Sequence, residues 1–134
     1  MKLDIKTETF TPGEDQSWLG SAHGTNECDP ITLNADLFLA LFPTGVVPSG
    51  TVVGKITATG LYAPYTDAGT HGAGTETASG HLFTTIDLGG TTAGTVDRAA
   101  GALYWHGEVV EAKLPVGHGL TAAAKVDLAQ IRYV

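Results

Sequence analysis

Apolar and polar residues alternate along three separated stretches of the chain, and each stretch predicts a strand. From Thr51 to Thr59, Val52, Gly54, Ile56 and Ala58 fall on one face, with Thr51, Val53, Lys55, Thr57 and Thr59 on the other. Period two with β-branched residues marks a half-buried strand. Pro48-Ser49-Gly50 supplies a turn before it, Gly54 predicts a bulge or a close backbone approach, and Gly60 and Pro64 end it in an aromatic corner at Tyr62 and Tyr65. From His81 to Leu88, Leu82, Thr84, Ile86 and Leu88 oppose His81, Phe83, Thr85 and Asp87, which predicts a hairpin with the first strand across a long loop. From Ala102 to Leu114, Leu103, Trp105 and Val109 share a face opposite Tyr104, His106, Glu108 and Val110, with Gly107 as a bulge.

The period changes twice. Leu37, Phe38, Leu39, Leu41 and Phe42 form an apolar run whose length does not separate a strand from a short helix. They are too many for one exposed face, so core, or core plus a subunit interface, is expected. Near the end, Leu120, Ala124, Leu128 and Ile131 make one stripe at helical spacing, and the alanines favour a short helix docked on the sheet. Ile31-Thr32-Leu33 after Pro30 and the terminal IRYV are short strand candidates. Ala68–Gly80 and Gly89–Gly101 are glycine-rich and poor in large apolar residues; the first reads as a loop mobile at its tip.

Residues 1–30 are different again. Leu3 and Ile5 alternate with Lys2, Asp4 and Lys6, Phe10 ends that run, and Trp18-Leu19 is the one large apolar pair in a segment of Ser, Gly, Asp and Asn. Such a segment buries too little to offset its ordering entropy, so a flexible arm over 1–30 is expected, with a β-rich domain over 31–134. An extended arm with an aromatic anchor suits strand addition to a partner's sheet edge; the alternative is that Trp18 packs on its own domain. On that expectation Trp18→Ala leaves the stability of the free protein nearly unchanged.

Composition narrows the function. One domain is the prior for 134 residues, and 18 glycines, about twice the usual share, strengthen the turn-rich β reading. A formal charge of −7 with only seven basic residues argues against nucleic acid or an anionic membrane as partner. Cys28 is alone, which excludes an intrachain disulfide. MKLDIKTETF has no apolar signal-like core and no window has membrane-spanning length, so a soluble protein made in the cytoplasm is expected.

Chemistry is poorly represented. His23 and Cys28 lie close in HGTNEC, but neither they nor His71, His81, His106 and His118 have metal-ligand spacing, so no metal and no cofactor are expected. Glu108 and Glu111 are three apart, which on a strand points them to opposite faces. There is no G-x-S-x-G elbow and no P-loop lysine. No catalytic residue is predicted.

The order of parts resembles a known family. TETFTPGEDQSWLGSAHGT and PSGTVVGKITATGLYAPY, followed by HLFTTIDL and a C-terminal helix ending in IRYV, resemble the lambda-type head-decoration proteins of tailed bacteriophages. The likeness is close over residues 7–88 and looser beyond. It implies a mainly β fold with a short C-terminal helix, a compact small β-barrel or β-tulip-like domain carrying an extended N-terminal arm. It implies a homotrimer on the outer surface of the virion's capsid, bound to the major capsid protein and stabilising the expanded shell against the pressure of packaged DNA, without enzymatic activity. The arm role falls on Ile5, Thr7, Thr9, Phe10, Trp18 and Leu19; Leu37, Phe38, Phe42, Tyr62 and Tyr65 are candidates for the subunit interface. Two other classes stay open. A virion-displayed ligand- or glycan-binding module would use loops 68–80 and 89–101 with an exposed Trp105. A small hydrolase would need two or more of His71, His81, His106 and His118 to converge with a carboxylate.

Overall fold

The computed structural model describes residues 14–88 and 98–134. In chain order they form β1 (Asp29–Asn34), α1 (Ala35–Leu41), β2 (Val46–Val47), β3 (Val52–Lys55), β4 (Tyr62–Pro64), β5 (Ala78–Leu82), β6 (Ile86–Asp87), β7 (Arg98–Tyr104), β8 (Gly107–Val109), α2 (Ala122–Asp127) and β9 (Ile131–Tyr133). The fold is mainly β with a short C-terminal helix, as the pattern predicts. Five strands join edge to edge in the order β1-β4-β3-β5-β7, and β7 returns to β1. The β1–β7 seam is antiparallel from Asp29↔Leu103 to Asn34↔Arg98, whereas β1 meets β4 through one parallel pair, Leu33↔Tyr62. The ring is therefore zipped on one side and pinched at a point on the other.

Two apolar cores lie on opposite sides of the shared strands. The first gathers Ile31, Leu33, Val47, Val53, Leu82 and Leu103 under Ala35, Phe38 and Leu39 of α1. The second gathers Val52, Ala78, Tyr104 and Val109 under Ala124 of α2 and Leu128 at its C-terminal cap, with Trp18, Tyr65 and Ile131. Neighbours in sequence thus serve different cores: Val52 and Val53, Leu103 and Tyr104. This corrects the half-buried reading of the first strand, which is covered on both faces and ends at Lys55 rather than Thr59. The bulge at Gly54 is present as a register shift after Val53, because a Cβ there would meet the Thr75 Cα at 2.9 Å.

That close approach comes from the 68–80 stretch, which is stitched to β3 rather than standing off as a free loop. Thr57 N–H donates to the Ala73 carbonyl at 2.9 Å, and Thr75 is buried with its hydroxyl donating to the Gly72 carbonyl at 2.7 Å. The second predicted strand also divides. β5 pairs antiparallel with β3, as the hairpin reading requires, but stops at Leu82, and β6 leaves to pair with β2. Gly107, expected as a bulge, instead opens β8 at φ +136°, a conformation only glycine adopts without strain. β8 then pairs parallel with β9.

Both helices begin as their sequences direct. The Asn34 side chain accepts from Leu37 N–H at 3.4 Å, and the Thr121 hydroxyl accepts from Ala124 N–H at 3.1 Å. The ambiguous run 37–42 is therefore largely helix, with Phe38 and Leu39 inward and Leu41 outward.

Trp18 is the largest fully buried side chain, with 0% exposure. Its indole stacks on His81 (5.6 Å, 27°) and meets Tyr104 edge-on (5.5 Å, 76°). Nε1–H donates to the Ser49 hydroxyl at 3.1 Å, which in turn donates to the Phe83 carbonyl at 2.7 Å. This corrects the expectation of a partner-facing anchor: the indole is a core residue of its own domain, and its polar handle is satisfied there.

His81 is equally buried. Nδ1 lies 2.7 Å from the Gly50 carbonyl and Nε2 2.8 Å from the Tyr133 hydroxyl. A carbonyl only accepts, so the proton sits on Nδ1, and Tyr133 donates to Nε2. Burial, chiefly, pushes the Tyr133 hydroxyl upward, with the charge of Glu111 adding to it, so it remains a donor. Burial also brings the His81 pKa from 6.5 down to about 4, against the Gly50 hydrogen bond, which acts in the opposite sense.

Two outcomes follow from this core. Trp18→Ala loses on the order of 3–5 kcal/mol, read by urea denaturation of the purified protein. A change under about 1 kcal/mol contradicts the burial. For His81 the unfolded chain takes up a proton between pH 6.5 and about 4 that the folded chain refuses, so stability is full above 6.5 and falls with pH across that window. The stability gap between the wild type and His81→Gln shrinks by roughly 3 kcal/mol between pH 7 and pH 4; a constant gap contradicts the neutral histidine.

Candidate functional site

The segment from Glu14 to Gly20 runs as a strap across the second core, and its hydrogen bonds fix where the N-terminal residues join the body. Trp18 carbonyl accepts from Val110 N–H at 2.7 Å, and Gly20 N–H donates to the Glu108 carbonyl at 3.0 Å. Leu19 thereby bridges antiparallel to Val109, adding a short third rung to the β8–β9 sheet. Ahead of the indole, Gln16 Nε2 donates to the Phe83 carbonyl at 2.7 Å, and Thr85 N–H donates to Glu14 Oε1 at 2.7 Å. Asp15 accepts from both the hydroxyl (2.6 Å) and the N–H (3.0 Å) of Ser17. Those bonds hold its carboxyl below the usual range, with Lys113 adding to them. The strap's root is thus tied to the turn between β5 and β6.

Of the predicted arm residues, Ile5, Thr7, Thr9 and Phe10 lie outside the described residues. Trp18 is in the core and Leu19 is half-buried beside it. Residues 14–30 are bonded to the body, so the expected division at residue 30 does not coincide with the start of folded chain. The interface candidates also divide. Phe38 and Tyr65 are buried within the chain's own cores, Tyr65 with its hydroxyl donating to Asp67 at 2.5 Å, and neither offers surface to a second subunit. Leu37, Phe42 and Tyr62 are half-buried and keep part of their surface open.

The histidines do different things. His106 Nε2 lies 3.1 Å from Glu27 Oε2 with the His23 ring edge-on at 5.2 Å. His118 Nδ1 accepts from Leu120 N–H at 2.8 Å, and His81 is occupied by Gly50 and Tyr133. The convergence on a carboxylate that a histidine hydrolase needs is not formed by these contacts. Among the described residues no group of three His, Cys, Asp or Glu side chains is placed to hold a metal ion. None of their helices is long and apolar enough to cross a membrane.

Trp105 does not stand in an open cleft. It is half-buried against the first core, its Nε1–H donates to the Glu27 carbonyl at 2.9 Å, and its ring lies 4.1 Å from that of His106. That removes the specific feature a glycan-binding reading asked for. Sequence reasoning missed the strap as a structural element, because its partners Ser49, His81, Phe83, Glu108 and Val110 are all distant along the chain. The nearest available signal was the indole itself, a side chain too large to leave unburied without reason.

The family model described as bacteriophage lambda head decoration protein D matches residues 8–132. No curated protein matches the chain. With that match running from ahead of the strap through β9, the chain belongs to the family of bacteriophage lambda head decoration protein D.

Proposed function

We propose that this chain is a structural component of the phage virion that decorates the outer surface of the capsid as a homotrimer and stabilises the expanded shell against the pressure of packaged DNA. The observation that carries this reading is the family match over residues 8–132. Its mechanism follows from the strap. Residues 1–13 supply the capsid contact, with Ile5, Thr7, Thr9 and Phe10 as the pairing residues, while Trp18 and Leu19 hold the root. A contact made by a short segment is weak alone, but three presented on one body raise the effective concentration of the second and third, and avidity exceeds single-arm affinity by orders of magnitude. Leu37 and Phe42, on α1 and at its end, and Tyr62 on the neighbouring β4 carry the subunit contact.

The formal charge of −7 suits this role. It keeps trimers from nonspecific association and disfavours contact with DNA. The decoration needs no cofactor and no catalytic group, and the stabilisation is mechanical: bridging neighbouring capsid subunits adds contacts that must break before the shell opens.

Deleting residues 1–13 leaves a folded protein of unchanged oligomeric state in solution that no longer co-sediments with expanded, undecorated capsids. Loss of folding would place those residues in the core, and undiminished binding would remove the arm from the mechanism. A wild-type protein that ignores capsids, or is a monomer in solution, contradicts the reading as a whole.

A further inference from the structure

Two tyrosines are linked to the buried indole of Trp18, and their hydroxyls have opposite surroundings. Among the described residues, Trp18 makes ring contacts with His81 and Tyr104. The Tyr104 hydroxyl donates to the His23 carbonyl at 3.0 Å and accepts from Glu108 N–H at 3.1 Å. A carbonyl accepts a hydrogen bond but does not keep the proton. Tyr133 stands one ring further out, 5.9 Å from His81 between centroids, and its hydroxyl donates to Nε2 at 2.8 Å. That nitrogen is a free base, because the ring's one proton sits on Nδ1 and is committed to the Gly50 carbonyl. Burial keeps the phenol protonated at rest and, with the His81 pKa brought down to about 4, keeps the imidazole neutral. Trp18 is fully buried, whereas Tyr133 is half-buried and keeps part of its surface open.

We propose that His81 and Tyr133 form a proton-coupled redox pair that carries one-electron oxidation of Trp18 out to the protein surface. The step balances without a cofactor. A diffusible one-electron oxidant removes an electron from the indole and leaves a radical cation. Tyr133 returns one electron to the indole through the stacked imidazole, and its O–H bond breaks as the proton passes to His81 Nε2. Trp18 is restored, Tyr133 is left as a neutral phenoxyl radical, and His81 holds a second N–H that donates back to the phenoxyl oxygen. A one-electron reductant in solution, such as a thiolate, then reduces the phenoxyl, and the proton returns from Nε2. An oxidised phenol is a strong acid, so a phenol gives up its electron readily where a positioned base takes the proton in the same step. Tyr104 touches the indole directly but lacks that base. The benefit falls on the core: an indole converted to polar oxidation products no longer fits between His81 and Tyr104, and the strap loses its seat. None of this depends on the capsid reading.

The test starts the electron hole on Trp18 itself. Trp105→Phe leaves Trp18 as the one tryptophan of the full-length chain. Light at the red edge of the indole band, which tyrosine does not absorb, photoionises it in the presence of an electron scavenger. Transient absorption then follows the indole and phenoxyl radicals. The first converts into the second at a rate that Tyr104→Phe leaves unchanged. His81→Gln, which keeps an acceptor but no base, and Tyr133→Phe each slow the conversion by about a hundred-fold. Heavy water slows it in the parent, since the O–H bond breaks in that step, and this measurement decides the matter even where His81→Gln does not fold. Conversion that survives in Tyr133→Phe, or is lost in Tyr104→Phe, overturns the assignment of Tyr133. An equal rate in His81→Gln, or no effect of heavy water, overturns His81 as the base. An indole radical that persists in the parent overturns the inference outright.

Discussion

The seat of Trp18 is the constraint on which the second half of the structure depends. Its indole touches His81 of β5 and Tyr104 of β7, and its N–H is answered by Ser49 in the turn before β3. His81 in turn ties the Gly50 carbonyl to Tyr133 of β9. One aromatic cluster therefore joins the N-terminal strap, two strands of the ring, the turn before β3 and the C-terminal strand. A buried neutral histidine is tolerated there because both of its nitrogens are satisfied, one by a carbonyl that can only accept and one by a hydroxyl kept protonated by burial.

The sheet between two cores explains what could be read from the chain and what could not. The C-terminal helix was legible because its alanines favour helix locally, although of the predicted stripe only Ala124 lies inside it, with Leu120 ahead of it, Leu128 at its cap and Ile131 opening β9. The turn at Pro48–Gly50 and the irregularity at Gly54 were legible because glycine and proline act locally. Alternation misled where a strand has two buried faces: Val53 looks outward by period, yet it packs in the first core while Val52 packs in the second. Residues 83–85 alternate like their neighbours, but the ring turns there because the Thr85 and Phe83 backbone groups are claimed by Glu14 and Gln16, residues about seventy positions away in sequence.

The same long-range contacts reassign the N-terminal segment. A polar stretch with one tryptophan reads as an arm because its own residues bury almost nothing; the burial is supplied by residues that come later. The segment is divided between a strap that belongs to the body and residues 1–13, to which the capsid contact is assigned. This division is useful to a decoration protein. With Trp18 seated in the core, the strap's anchoring side chain is kept out of any surface a partner could reach. The family resemblance in the sequence was strong because glycine turns, aromatic corner and strap all lie within residues 8–132.

Amide hydrogen exchange on free and capsid-bound protein tests this division most directly. The account predicts that the Gly20 and Val110 amides, which close the strap onto β8, are protected in the free protein as well as ring-strand amides are, and change little on binding. Residues 1–13 then gain protection only in the presence of capsids. Rapid exchange at Gly20 and Val110 in the free protein, slowed only by capsid, would show the strap to be part of the arm and contradict the account.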